Sequence, residues 1–188
     1  MMFFTLLTAL FAYLTGAIPT GYLIAQLKGI SDIRAHGSGN IGATNVSRFL
    51  GIHYFFLIFF LDAGKAFLFL YAITPYYSTD YLCLFAALLL FGNGCSIFLQ
   101  GSGGKGIATL SGLLTALAPI HTIILLCIWS CILLITHTVG MASIGTIIFL
   151  PLCAYITQNN SFLLFSLFAT FWVIRAHWPN IQKYWAYR

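Results

Sequence analysis

"GIATLSGLLTALAPIHTIILLCIWSCILLITHTVGMASIGTIIFLPLCAYITQNNSFLLFSLFATFWVI", residues 106–174, holds no Asp, Glu, Lys or Arg. Soluble domains average about 25% charged residues, so a run of this length without one belongs in lipid. Turn signals at Pro119, at THTVG (136–140) and at QNN (158–160) divide it into four segments. Some are short for a crossing. Residues 106–118 would reach only ~20 Å as a helix, against a hydrocarbon core of ~30 Å. A half-length helix leaves its end at membrane depth, which is tolerated only beside a cavity.

The rest of the chain agrees with that block. Of its 188 residues 61% are hydrophobic and 6% charged, with a mean hydropathy of +0.97. The expected fold class is an all-α integral membrane protein, one transmembrane domain over residues 1–188, with no room for a second soluble domain. Residues 3–27, 52–74 and 80–99 qualify as further spans, the last if Asp80 marks an interface. No cation precedes Lys28, so the first segment is a retained span rather than a signal peptide. Cations gather after span one (Lys28, Arg34, Arg48), after span three (Lys105) and at the end (Arg175, Lys183, Arg188). The positive-inside rule puts all three groups in the cytoplasm. An even number of crossings then separates Lys105 from Arg175. Four short ones give about seven transmembrane helices, with the N-terminus outside and the C-terminus cytoplasmic. Five, with the weak segments re-entrant, is the alternative.

Two glycine-rich loops fall on that cytoplasmic side: HGSGNIGATNVSR (36–48) and GSGGKG (101–106). Both fit G-x-G-x-x-G, yet neither follows a strand, and neither continues as a Walker motif. The physics beneath such motifs applies without the fold. Glycines let backbone amides converge on an anion, and a helix start adds its positive end. Side chains of Ser38, Asn40, Thr44 and Asn45 complement such a nest, and Arg48 and Lys105 can pair with phosphate oxygens. Tight turns and close helix packing would also explain glycines taken one loop at a time. Two cation-bearing loops on one membrane face favour the phosphate reading.

His177 and Asn180, three apart in RAHWPNIQKYWAYR (175–188), would share a face if the last helix continued, although Pro179 favours a cap or kink. Asp62 and Lys65 are intramembrane ionisable residues three apart, able to face each other along a helix and to mark a functional interior or a structural ion pair. His36 precedes the first loop, His137 sits in a turn, and His53 and His121 look interfacial or packed. The five cysteines stand singly in apolar runs and read as structural thiols, Cys127 and Cys131 sharing a face. There is no Glu, no paired carboxylate, no GxSxG elbow, no HxxxxD and no cluster with metal-ligand spacing. No metal or cofactor is expected, and no nucleic-acid partner.

At these residues the chain closely resembles the bacterial membrane acyl-phosphate:glycerol-3-phosphate acyltransferases, the PlsY family. The resemblance is densest in GAIPTGYLIAQLKGISDIRAHGSGNIGATNVSRFLG (16–51). GGKGIAT (103–109), TVGMASI (138–144) and the H..NI of His177, Asn180 and Ile181 resemble the family's other signatures. The chain departs from the usual pattern at GNGCS (92–96), where the family reads GH..P. It departs again at LQGSGGKG, which lacks a nearby basic residue, and at Ala176 and Trp178, which replace flanking arginines.

The resemblance implies a seven-helix fold and transfer of an acyl group from acyl phosphate to the 1-hydroxyl of sn-glycerol 3-phosphate. The products would be lysophosphatidate and phosphate. It implies chemistry at Ser38, Arg48, Lys105, His177 and Asn180, with substrates held by Gly37, Gly39, Asn40, Gly42, Thr44, Asn45, Gly103, Gly104 and Ser143. The expected partners are the two substrates and the bilayer of a bacterial inner membrane. A small anion transporter or channel, or a non-catalytic paralogue, is the other reading. A transporter predicts inverted repeats, and the two glycine loops share no surroundings that would mark one.

Overall fold

The computed structural model describes residues 2–186, with the side chains of 180, 181 and 183–186 left aside. Every regular element among the described residues is helical. The chain opens with α1 (Met2–Ala17) and α2 (Thr20–Leu27), which meet at a 41° bend. The sequence suggested one unbroken span here. Pro19 breaks it, because its ring denies the helical conformation to Ile18 and removes an amide. The carbonyls this frees are met from α4: Lys65 Nζ donates to Gly16 O at 3.3 Å and to Ile18 O at 2.7 Å.

A short α3 (Ala43–Leu50) follows the first glycine loop, and α4 (Ile52–Ile73) and α5 (Thr79–Gly94) form a long apolar pair. After the second glycine loop comes α6 (Ile107–Leu117), only 11 residues, then α7 (Pro119–Thr136). The pieces α8 (Val139–Ile147) and α9 (Leu150–Ile156) precede α10 (Asn160–Ala186). Among the described residues, five stretches are long and apolar enough to cross a membrane: Ile52–Tyr76, Thr79–Leu99, Pro119–Thr136, Val139–Ile156 and Asn160–Pro179. The bent pair α1–α2 makes a sixth, and α6 alone would reach about 16 Å. α10 runs through Pro179, so the cap expected there as one alternative does not form. The carbonyl that Pro179 leaves unbonded belongs to exposed Arg175, where water can satisfy it.

α5 is the centre of the bundle. Phe85, Ala86, Leu89 and Leu90 are fully buried between α1, α10, α4 and α6. In lipid, helices gain little from burying apolar area and depend on close backbone approach instead. Gly16 lies against the Leu89 carbonyl and Gly92 against that of Tyr13, which joins α1 to α5; Gly112 lies against Ala63 O, joining α6 to α4. α7 shows the complement, with Ile120, Ile123, Leu134 and Ile135 all more than 60% exposed, a surface suited to lipid. The five cysteines are free thiols, Cys127 and Cys131 on that same exposed helix.

Candidate active site

Asn45, in the first turn of α3 and 2% exposed, fixes the first glycine loop. Its Oδ1 accepts the Ser38 amide at 2.8 Å, and its Nδ2 donates to the carbonyls of Asn40 at 2.8 Å and His36 at 3.0 Å. Gly37 is left-handed, φ +60°, and any Cβ there would collide with Asn45 Oδ1. Asn40 Oδ1 accepts the Gly42 amide at 2.8 Å, while its Nδ2 reaches Gly103 O of the second loop at 3.5 Å. The two glycine loops are therefore neighbours.

The second loop hangs on the end of α5. The Gly104 amide donates to Asn93 O at 2.8 Å. Gly106, φ +85°, turns the chain into α6. Both loops deliver helix starts, whose leading amides have no partner within the helix and present a positive end.

Beneath the loops lies a cavity of about 930 Å³. Ser38, Asn40, Thr44, Arg48, Lys105 and His177 line its polar end, with Gly37, Gly42, Asn45, Gly104 and Ser143 also on its wall. Phe55, Phe56, Phe59 and Phe60 of α4 and Leu126 and Trp129 of α7 make the apolar side. Phe56 and Phe60 are 52% and 65% exposed, so this side opens towards the lipid surface of α4.

His177 is buried, and its Nδ1 lies 2.9 Å from Val173 O. A carbonyl only accepts, so Nδ1 carries the hydrogen and Nε2 is the nitrogen left for other work. Ser143 is equally buried, donating to Val139 O at 2.9 Å and accepting from Trp129 Nε1 at 3.2 Å. Arg34 is drawn away from the cavity. It holds Asp32 at 2.7 Å and lies over the Tyr22 ring, and its guanidinium keeps the Asp32 carboxyl below the usual range.

Two of the expected glycines stand apart from the cavity wall. Gly103 is pressed against the carbonyls of Asn93 and Gly94, and Gly39 turns beside Arg34 O. Their lack of a side chain serves packing and a turn. Asn180 has its side chain outside the described residues. The structure adds residues that motif reading passed over. Asn93 lines the cavity with a buried, unbonded Oδ1, as do Thr109 and Thr146 with buried, unbonded hydroxyls. Asn93 stands at the altered GNGCS segment, the one signal that could have found it. The aromatic wall left no pattern distinct from any lipid-facing helix.

Residues 6–187 match the family described as glycerol-3-phosphate acyltransferase. The glycerol-3-phosphate acyltransferase of Thermosipho melanesiensis is 34% identical over 91% of this chain and 84% of its own length. That of Aquifex aeolicus is 40% identical over 74% of this chain and 73% of its own. The crystal structure of PlsY (YgiH), an integral membrane glycerol 3-phosphate acyltransferase, in its glycerol 3-phosphate form superposes with a TM-score of 0.92. It covers 98% of this chain and 93% of the other at 34% identity. The lysophosphatidic acid form of PlsY gives 0.89 at 33% identity. Sequence over nearly the whole length and fold agree: the chain belongs to the glycerol-3-phosphate acyltransferase family, in its integral membrane PlsY form.

Proposed function

We propose that this chain transfers an acyl group from acyl phosphate to the 1-hydroxyl of sn-glycerol 3-phosphate, releasing lysophosphatidate and inorganic phosphate. The observation that carries the proposal is one cavity with two contrasting ends. Glycine-loop helix starts, Arg48 and Lys105 line a polar, cationic end, and four phenylalanines form an apolar wall. An acyl phosphate has both characters. It is already activated, with phosphate as leaving group, so holding and orienting the reactants and stabilising charge can supply most of the rate.

In this reading the amides of the first loop and of α3, with Ser38, Asn40 and Thr44, take the donor phosphate. Arg48 and Lys105 neutralise the phosphates of donor and acceptor. His177 Nε2, free because Nδ1 is committed to Val173, receives the hydroxyl proton or positions that hydroxyl. Asn180 would complete that face. The acyl tail enters from the bilayer past the α4 phenylalanines, and glycerol 3-phosphate from the cytoplasm of a bacterial inner membrane. Asn45, whose side chain is fully engaged within the loop, and Ser143, engaged with Trp129, shape the wall. A single domain of seven crossings with both loops cytoplasmic completes the proposal.

Detergent-solubilised protein given acyl phosphate and glycerol 3-phosphate is expected to release phosphate and lysophosphatidate in equal amounts, with acyl-CoA inert as donor. Acyl-CoA as the better donor would overturn the donor assignment, and silence with both would overturn the activity.

A further inference from the structure

The chain has three acids, and only one of them faces the cavity. Asp32 is tied to Arg34 at the surface, and Asp80 accepts from Ser161 at the start of α5, the far end of that helix from the loops. Asp62 lies in α4, 9% exposed, on the cavity wall. An intramembrane carboxylate is expensive and marks function or a structural pair.

The pair exists, and it is one-sided. Lys65 Nζ at 2.7 Å and Thr20 Oγ1 at 2.8 Å both contact Oδ1. Neither contact falls on Oδ2. Its neighbours are packed by elements that the two glycine loops join. Thr20 precedes Gly21, which abuts Ile41 O of the first loop. Ala63, next to Asp62, is backed by Gly112 of α6, the helix that the second loop starts.

Resting on the acyltransferase reading above, we infer that Asp62 Oδ2 accepts a hydrogen bond from the C2 hydroxyl of glycerol 3-phosphate and so selects acceptors that carry one. The chemistry is direct. Arg48 and Lys105 draw the phosphate, whereas Asp62, already neutralised by Lys65, gives it no attraction, so the acceptor enters with its hydroxyls towards Asp62. Its C1 hydroxyl must face the acyl carbon as nucleophile. The C2 hydroxyl is the remaining donor, and a carboxylate oxygen is the strongest acceptor the cavity offers. Asp62 is here a specificity residue, with no proton or bond exchanged.

The test compares sn-glycerol 3-phosphate with 3-hydroxypropyl phosphate, which keeps the reacting hydroxyl and lacks the C2 hydroxyl. Wild-type protein should favour the former about 10- to 100-fold in kcat/KM, the range for a hydrogen bond to a charged group. In Asp62→Asn, which leaves Lys65 on the Gly16 and Ile18 carbonyls, that preference should collapse towards one. The loss should fall on glycerol 3-phosphate, with 3-hydroxypropyl phosphate little changed. Thr20→Val, which touches only Oδ1, should keep the preference. An equal fall with both acceptors would make Asp62 a structural residue and overturn the inference. So would a preference intact in folded Asp62→Asn, or wild-type protein indifferent to the missing hydroxyl, a result that needs no variant. Wild-type protein acylating neither acceptor would sink the acyltransferase reading itself.

Discussion

Asn45 illustrates how one side chain can fix the shape of a glycine loop. It closes three contacts across the first glycine loop while buried, so removing it strands the Ser38 amide and the Asn40 carbonyl, while the His36 carbonyl keeps the Gly39 amide. A polar group left unpaired away from water costs about 1–3 kcal/mol, and these lie on exposed or half-buried residues, so the cost falls at the low end. Asn45→Ala should lower the thermal midpoint in detergent and raise KM for acyl phosphate. Asn45→Asp should be at least as damaging, because it keeps the acceptor for Ser38 but aims an oxygen at two carbonyls. A mild Asn45→Asp would show that the donor bonds are dispensable. Arg48 differs from Asn45: it is exposed at the cavity rim, and the fold does not need it. Arg48→Ala should leave the melting temperature unchanged while reducing kcat/KM at least ~10-fold, the loss of a charge-assisted phosphate contact. Full activity in that variant would remove Arg48 from the site.

At the scale of elements, both glycine loops lead into helix starts, and Gly106 is the residue on which the second start turns. Its φ of +85° is unfavourable for any side chain, and a Cβ would lie 2.7 Å from Leu90 Cδ1. Gly106→Ala should therefore cost about 1 kcal/mol or more and displace the α6 amides beside Lys105. Activity should fall further than stability, and an active variant of normal stability would show that this helix start is not part of the site. Motif reading found Gly106 and Gly103 together but had no means of separating them. One shapes a helix start and the other is pressed against Asn93 and Gly94, a difference created by where the end of α5 arrives. The same limit hid Asn93, since burial of an unbonded amide is a property of packing. The bend at Pro19 was open to local reasoning, because proline acts on its own neighbours; how α4 meets the freed carbonyls through Lys65 was not. Pro179 does not end its helix as a cap would, because exposure of Arg175 makes continuation tolerable.

For the whole molecule, the composition, the charge-free block and the cation clusters were enough to read an all-helical membrane bundle with its glycine loops at one end. The direction in which that bundle crosses the bilayer follows from cation placement alone, and it can be tested at positions away from the cavity's charges. In a background with the five cysteines replaced, Ser31, Ser102 and Thr138 stand exposed at the loop-bearing end, and Ser78 and Gln158 are exposed in turns at the other ends of their helices. Single cysteines at Ser78 and Gln158 should react with an impermeant thiol reagent on intact cells. Those at Ser31, Ser102 and Thr138 should react only after the membrane is opened. The short α6 supplies the finer distinction. Ala118→Cys, between α6 and α7, is reached from outside if the two helices cross separately, and stays silent if they form a re-entrant pair. Outside labelling at Ser31 or Ser102 would reverse the orientation. It would also place the phosphate-binding end of the cavity away from the cytoplasm that supplies glycerol 3-phosphate, and the proposed reaction would then lose its acceptor.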